Sequence, residues 1–229
     1  MKYFLTTLCL FLVLSGINAQ TPVVATTRLE LDRFMVDANG RMLKPTGDFD
    51  EEGSPFYAKE FYTGTVTILK GKTYHGLKLK INFNTNEVIF IDNNGNEMVV
   101  AQPIEKITLE TPNGTKVFRT GFEPIEKLDG NAIYEVLDSG KVSYLKYTDV
   151  SFSERQPYPN ARYTRTYRDQ VSYYIAIGNS VKKLPKSIDE VPALFGDKAS
   201  QVSALIKKEK LKIKKESDLI QVFKYANSL

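Results

Sequence analysis

Four groups of residues in this chain are of types and spacings that could do chemistry. Asp48-Phe49-Asp50-Glu51-Glu52-Gly53 places acids at the first, third and fifth positions of a calcium loop and glycine at the sixth. Such a loop needs a bidentate acid at its twelfth position. Lys59 stands there, so the stretch with Asp48, Asp50 and Glu52 reads as a solvated acidic loop. His75 is the one histidine, which excludes a multi-histidine metal site. No Gly-x-Ser-x-Gly elbow accompanies it, so a structural or solvent-facing role is expected. Arg162, Arg165 and Arg168 interleave with Tyr163, Tyr167, Tyr173 and Tyr174. This pattern could grip an anionic or sugar ligand by charge and stacking. The preferred reading is a strand pair whose tyrosines pack and whose arginines face water. Lys207, Lys208, Lys210, Lys212, Lys214 and Lys215 put six positive charges within nine residues. They form either a solvated linker or a docking patch for an anionic surface such as lipid head groups, acidic polysaccharide or an acidic protein.

Carboxylate-pair hydrolysis needs two acids held together in a cleft, which sequence alone does not reveal. The chain has no tryptophan, so a sugar-stacking cleft would rely on Tyr or Phe. No catalytic motif, metal site or cofactor site is expected. Asn113-Gly114-Thr115 fits a glycosylation pattern, but Asn-Gly is sufficient there as a turn.

The N-terminus sets the compartment. One lysine, an apolar run to Leu14 and a small residue at Ala19 match a secretory signal peptide, with cleavage expected after Ala19. The run is too short to span ~30 Å of hydrocarbon, and no transmembrane segment is expected after cleavage. Cleavage also removes Cys9, the single cysteine, so an exported chain without disulfides must depend on its core. The remaining 30 Lys+Arg face 27 Asp+Glu, and the excess lies from Lys186 onward, with nine lysines against six acids. The balanced body gives no reason to expect nucleic acid as a partner.

The elements that must position these residues are mostly strands. Leu77-Lys78-Leu79-Lys80-Ile81-Asn82-Phe83-Asn84 alternates for eight residues, which buries Leu77, Leu79, Ile81 and Phe83 and turns the others to water. Further strands are expected at 64–69, 73–83, 87–92, 97–101, 104–110, 115–120, 132–137, 141–148, 162–168, 171–177 and 181–184. Asn-Gly and Asp-Gly connectors separate several of them. Arg28–Val36 reads as an early strand, residues 47–55 as a loop, and residues 152–160 as a connector broken by Pro157 and Pro159. After Pro185 the period changes to 3.6. Ser187-Ile188-Asp189-Glu190 fits a capping box, and residues 198–208 and 216–226 form amphipathic helices. The expected fold is mainly β (α+β), an antiparallel meander curled into a barrel or sandwich, followed by a C-terminal helical hairpin. The expected organisation is signal peptide 1–19, an irregular or strand segment 20–62, a β body 63–185 and helices 186–229.

Three stretches together carry a resemblance. They are Gly53-Ser54-Pro55-Phe56 leading into Thr73-Tyr74-His75-Gly76-Leu77; Tyr134-Glu135-Val136-Leu137-Asp138-Ser139-Gly140-Lys141-Val142; and Lys208-Glu209-Lys210-Leu211-Lys212-Ile213 through Asp218-Leu219-Ile220 to Asn227-Ser228-Leu229. The chain resembles a group of exported, β-rich proteins of unknown function from Gram-negative bacteria. The resemblance implies a signal peptide, a β-rich body and a lysine-rich helical end, and it carries no activity or catalytic residue. The expected function is a non-enzymatic envelope protein of the periplasm, outer surface or extracellular space. It would be a binding or structural module whose partner is an anionic envelope component or another protein. The alternatives are a hydrolase with an acidic site, or a small-ligand carrier if the sheet closes into a hollow barrel.

Overall fold

The computed structural model describes residues 28–43, 49–68, 71–159 and 161–229. The proposed signal peptide, its cleavage point and Asp48 lie outside these residues. The first element is a helix, α1 (Arg28–Asp37), followed by β1 (Arg41–Met42), β2 (Phe49–Glu52), β3 (Tyr62–Ile68), β4 (Thr73–Asn82), β5 (Glu87–Ile91) and β6 (Glu97–Val99). Then come β7 (Ile104–Thr111), β8 (Gly114–Arg119), β9 (Tyr134–Asp138), β10 (Ser143–Arg155), β11 (Tyr163–Ile177) and β12 (Ser180–Lys183). A 3-10 helix (Ile188–Lys198) and two α-helices, α2 (Ala199–Glu209) and α3 (Glu216–Ser228), end the chain.

One mixed sheet holds all twelve strands, in the order β1-β6-β5-β4-β3-β7-β8-β9-β10-β11-β12, with β2 parallel to β11. The other pairings are antiparallel, and β1 and β12 remain edges, so the sheet does not close into a barrel. The β-rich body and helical end are therefore as the sequence predicts. The two halves of the meander join where β7 returns from beyond β6 to pair with β3. Gly64 allows that close approach, because a Cβ there would collide with the Thr108 carbonyl oxygen and the Leu79 side chain.

The alternating stretch behaves as its pattern requires: Leu77, Leu79, Ile81 and Phe83 are all buried. The phase slips just before it. Thr65 alone stands opposite His75 and Gly76, between the pairs Gly64↔Leu77 and Val66↔Tyr74. This is a β-bulge, and Gly76 supplies the positive φ of 67° that it needs. The bulge leaves His75 exposed, its Nδ1 3.3 Å from Thr65 Oγ1. Asn82 and Asn84 are half-buried rather than turned to water. Asn82 Oδ1 accepts from the Asn84 amide at 2.9 Å, and Asn84 Nδ2 donates to the Val150 carbonyl at 2.7 Å.

Arg28–Val36 is not a strand. Leu31, Phe34, Met35 and Ala38 recur at helical spacing, and this face packs on the sheet. Phe34 lies 5.0 Å from the Tyr74 ring and 4.9 Å from Phe90, while Val36 on the opposite side is exposed. Part of the expected acidic loop is strand β2. The expected connector is shorter, beginning only after Arg155, and the break before Val171 is absent, because β10 and β11 pair through thirteen residue pairs from Ser143↔Ala176 to Arg155↔Thr164.

Successive residues of this long ribbon feed different cores. Tyr144 and Ile175 face the C-terminal helices, while Leu145, Tyr174 and Ala176 pack with Phe122 and Tyr134 on the other side. Phe223 of α3 stacks on Tyr144 at 4.8 Å, and Tyr173 lies at 5.6 Å from the same ring. The capping box is only half formed: Ser187 Oγ accepts from the Asp189 amide at 3.3 Å. Pro192 favours the tighter 3-10 turn there, and the chain breaks at Gly196 before α2 begins.

Candidate functional site

The polar network with the most buried charge joins the sheet to α3. Lys116 on β8, Glu135 on β9 and Lys146 on β10 point to the same side of neighbouring strands. Lys116 Nζ lies 2.9 Å from Glu135 Oε1, and Lys146 Nζ lies 3.8 Å from Glu135 Oε2. Lys146 Nζ also reaches Glu216 Oε2 at 3.1 Å, and Tyr173 Oη donates to that oxygen at 2.9 Å. The Glu135 side chain is 8% exposed, so its charge is compensated inside the protein rather than by water. Its hydrogen bond holds the Lys116 ammonium above its ordinary pKa. The strand pattern hid this network, because each charge sits at a position that reads as a solvent face. Lys146 and Tyr144 share a strand face, and Tyr144 is buried by α3. Two carboxylates thus lie near each other, and Lys146 bridges them. The arrangement clamps two elements together.

The arginines and the acidic stretch meet each other. Parallel pairing sets Phe49, Asp50, Glu51 and Glu52 beside Tyr163, Thr164, Arg165 and Thr166. Arg165 carries two bonds to Glu154 Oε1, at 3.1 Å from Nε and 2.6 Å from Nη2. Its guanidinium also lies 3.9 Å from the centre of the Phe49 ring and 4.5 Å from that of Phe152. Such a cation held over two rings is a packing unit. Arg162 pairs with Asp50 at 3.4 Å, Thr166 Oγ1 donates to Glu52 at 3.0 Å, and Tyr167 Oη donates to Glu51 at 3.3 Å. Arg168 is exposed, and its strand parity puts it opposite Arg165. The three arginines therefore do not converge on one ligand. Tyr163 stays 46% exposed at the start of β11, and Phe152 and Tyr158 are exposed as well. Asp50 and Glu52 of the calcium-like loop are both engaged with ribbon side chains. No cluster of three or more His, Cys, Asp or Glu suited to a metal occurs among the described residues.

The lysine run is held in a definite posture. Lys207 and Lys208 end α2, Lys210 takes the left-handed conformation that closes it, and Lys215 precedes α3. Between them Leu211 and Ile213 pack into the helical core, so Lys210, Lys212 and Lys214 alternate outward. All six are exposed. Lys208 pairs with neighbouring Glu209 at 3.6 Å; the other five have no carboxylate within ion-pair distance among the described residues.

Near α1, Asp37 accepts from Tyr74 Oη and, at 3.0 Å, from Lys72 Nζ. The Tyr74 bond, with Lys72, holds the carboxyl below its usual range. These three residues line a groove of about 710 Å³ beside exposed Val36.

Burial pushes up the phenols of Tyr57, Tyr74, Tyr134, Tyr144, Tyr147, Tyr173 and Tyr174. Tyr74 and Tyr173 rise to about 12. A raised phenol favours the neutral form in the folded chain. That stabilisation is complete below the unfolded pKa of about 10 and is lost as pH rises through the folded values. An absorbance titration should therefore show these seven phenolates forming in step with cooperative alkaline unfolding. Smooth ionisation around pH ~10 with the fold intact would contradict their burial.

Protein-family models, curated protein sequences and solved structures give no match to this chain, so the resemblance in its turn and tail motifs gains no support from them.

Proposed function

We propose that this chain is an exported, non-enzymatic module of the cell envelope. In this reading it docks on an anionic surface through Lys207, Lys208, Lys210, Lys212, Lys214 and Lys215. The observation that carries the reading is the anchoring of Leu211 and Ile213, which fixes the intervening lysines outward on a packed helical cap. Docking on pre-set charges loses less conformational freedom than docking on a free tail. The hydrolase reading is weaker because Glu135 and Glu216 are both tied to Lys146. The carrier reading depended on a closed hollow barrel, and the sheet is open.

Each lysine near an anionic bilayer contributes ~1 kcal/mol. Exposed charges are screened over ~10 Å at 0.1 M salt, so binding must weaken as salt rises. Co-sedimentation with phosphatidylglycerol-containing vesicles tests this. The wild type should pellet at low salt and be released at high salt, while Lys210→Glu/Lys212→Glu/Lys214→Glu should stay in the supernatant. Failure of the wild type to bind at low salt, or equal binding by the triple variant, refutes docking on lipid.

A further inference from the structure

We infer that a second, smaller site lies where the 3-10 helix breaks, and that it binds a small carboxylate with an apolar body. This goes beyond the docking reading and uses none of its lysines.

The cavity holds about 250 Å³ between the β9–β10 turn, the break at Gly196 and the end of α3. Its floor is apolar: Val142, Phe195 and Ala226 are buried. Its charged lining groups are Lys141 and Lys198. Neither ammonium has a carboxylate within ion-pair distance among the described residues. Two cations at the rim of an apolar cavity complement an anion whose remaining atoms are apolar.

The walls are fixed by specific contacts. Gly196 adopts φ 57° and ψ −118°, a conformation that strains any residue with a side chain. A Cβ there would meet nothing within 4 Å, so glycine serves the bend and not the space. The bend separates the 3-10 helix from α2 and leaves the hollow beside Phe195. On the opposite wall, Asn227 Nδ2 donates to Asp138 Oδ2 at 2.8 Å and to the Val142 carbonyl at 3.0 Å. Asn227 Oδ1 accepts from the Val142 amide at 3.4 Å. Both N–H groups of that carboxamide are spent on the protein, and it acts as a pillar. Gly140 makes room for it, since a Cβ there would collide with the Asn227 side chain. Recognition of a polar ligand group is thus left to the two lysines, one for each carboxylate oxygen.

The volume equals that of about eight waters at ~30 Å³ each. Hexanoate, with eight heavy atoms, matches both the size and the division into charged head and apolar body. The test is a titration of the purified protein with hexanoate, followed by amide NMR shifts. Acetate supplies the charge without the body, and hexanol the body without the charge. Saturable shifts are expected at Val142, at Phe195–Lys198 and at Ala226–Asn227, with much weaker effects from acetate and hexanol. Lys141→Gln/Lys198→Gln should weaken binding by about tenfold or more, the worth of a charge-assisted hydrogen bond. Lys210→Glu/Lys212→Glu/Lys214→Glu should leave hexanoate binding unchanged, which separates this site from the docking rim. The inference is overturned if hexanoate produces no saturable shifts at those amides. It is equally overturned if hexanol binds as well, or if the double glutamine variant binds as tightly as wild type.

Discussion

Ile81→Ala is expected to lower the free energy of unfolding by about 2–5 kcal/mol, the range for truncating a buried aliphatic residue to alanine. Ile81 is fully buried on β4 and belongs to the core that also holds Leu79, Phe83, Phe118 and α1's Phe34. Its partner on β5 is Val88, and its backbone carbonyl accepts from the Tyr57 amide at 2.9 Å. Strands and hairpin hold its surroundings on both sides, so the cavity left by alanine has little freedom to collapse. Lys80 provides the internal control. Its ammonium lies 4.7 Å from the centre of the Phe56 ring and 4.5 Å from that of Phe61, on the partly exposed face. Lys80→Ala removes two such contacts at ~0.5–1 kcal/mol each at most. Urea melts of the two variants check the contrast. Equal small losses would place Ile81 outside the core and invalidate the strand register.

Leu79 and Ile81 could be read in the sequence because one face of their strand is dry and the other wet. Period-two alternation is the direct image of that difference. The same logic explains what was illegible. Leu29-Glu30-Leu31-Asp32 alternates by chance over four residues, and the helical face becomes visible only when Ala38, part of an apparent turn, is counted with Leu31, Phe34 and Met35. Strand β2 is acidic and short, and its pairing with β11 is set by partners far along the chain, which no local pattern records. The outer half of the β10–β11 ribbon has both faces largely exposed, so it has no alternation to read; its prolines suggested a break that the structure places beyond Arg155. The candidate sites divide in the same way. The lysine run is visible as composition, whereas the inward packing of Leu211 and Ile213 within it is a finding of the structure. The pairing of acids with arginines, and of Glu135 with Lys116 and Lys146, depends on strand order and was invisible until that order was known.

Lys146→Met carries the second large effect. Lys146 is the link shared by Glu135, at 3.8 Å, and Glu216, at 3.1 Å. It is 24% exposed, and Glu135 8%, so water compensates little when the ammonium is lost. Breaking a buried pair from one side costs about 3–5 kcal/mol. Lys116 still neutralises part of Glu135, and Tyr173 still bonds Glu216, so the expected loss is at the lower end, about 3 kcal/mol. The effect should be local as well as global. Glu216 opens α3, so hydrogen exchange in α3 should accelerate more than in β4, where the core is independent of this network. A compensating change separates a lost ion pair from a lost methylene stem. Lys146→Met/Glu135→Leu removes the cation together with the more buried of its two carboxylates, and it should be more stable than Lys146→Met alone, because the one carboxylate then left without Lys146 is Glu216, which is one-third exposed and keeps its Tyr173 hydrogen bond. If Lys146→Met unfolds at the wild-type urea midpoint, or if adding Glu135→Leu deepens the loss by its full single-variant cost, the network does not clamp α3 to the sheet. The apolar packing around Phe223 and Tyr144, with the Asn227 bonds to Asp138 and Val142, would then hold the helical cap without it.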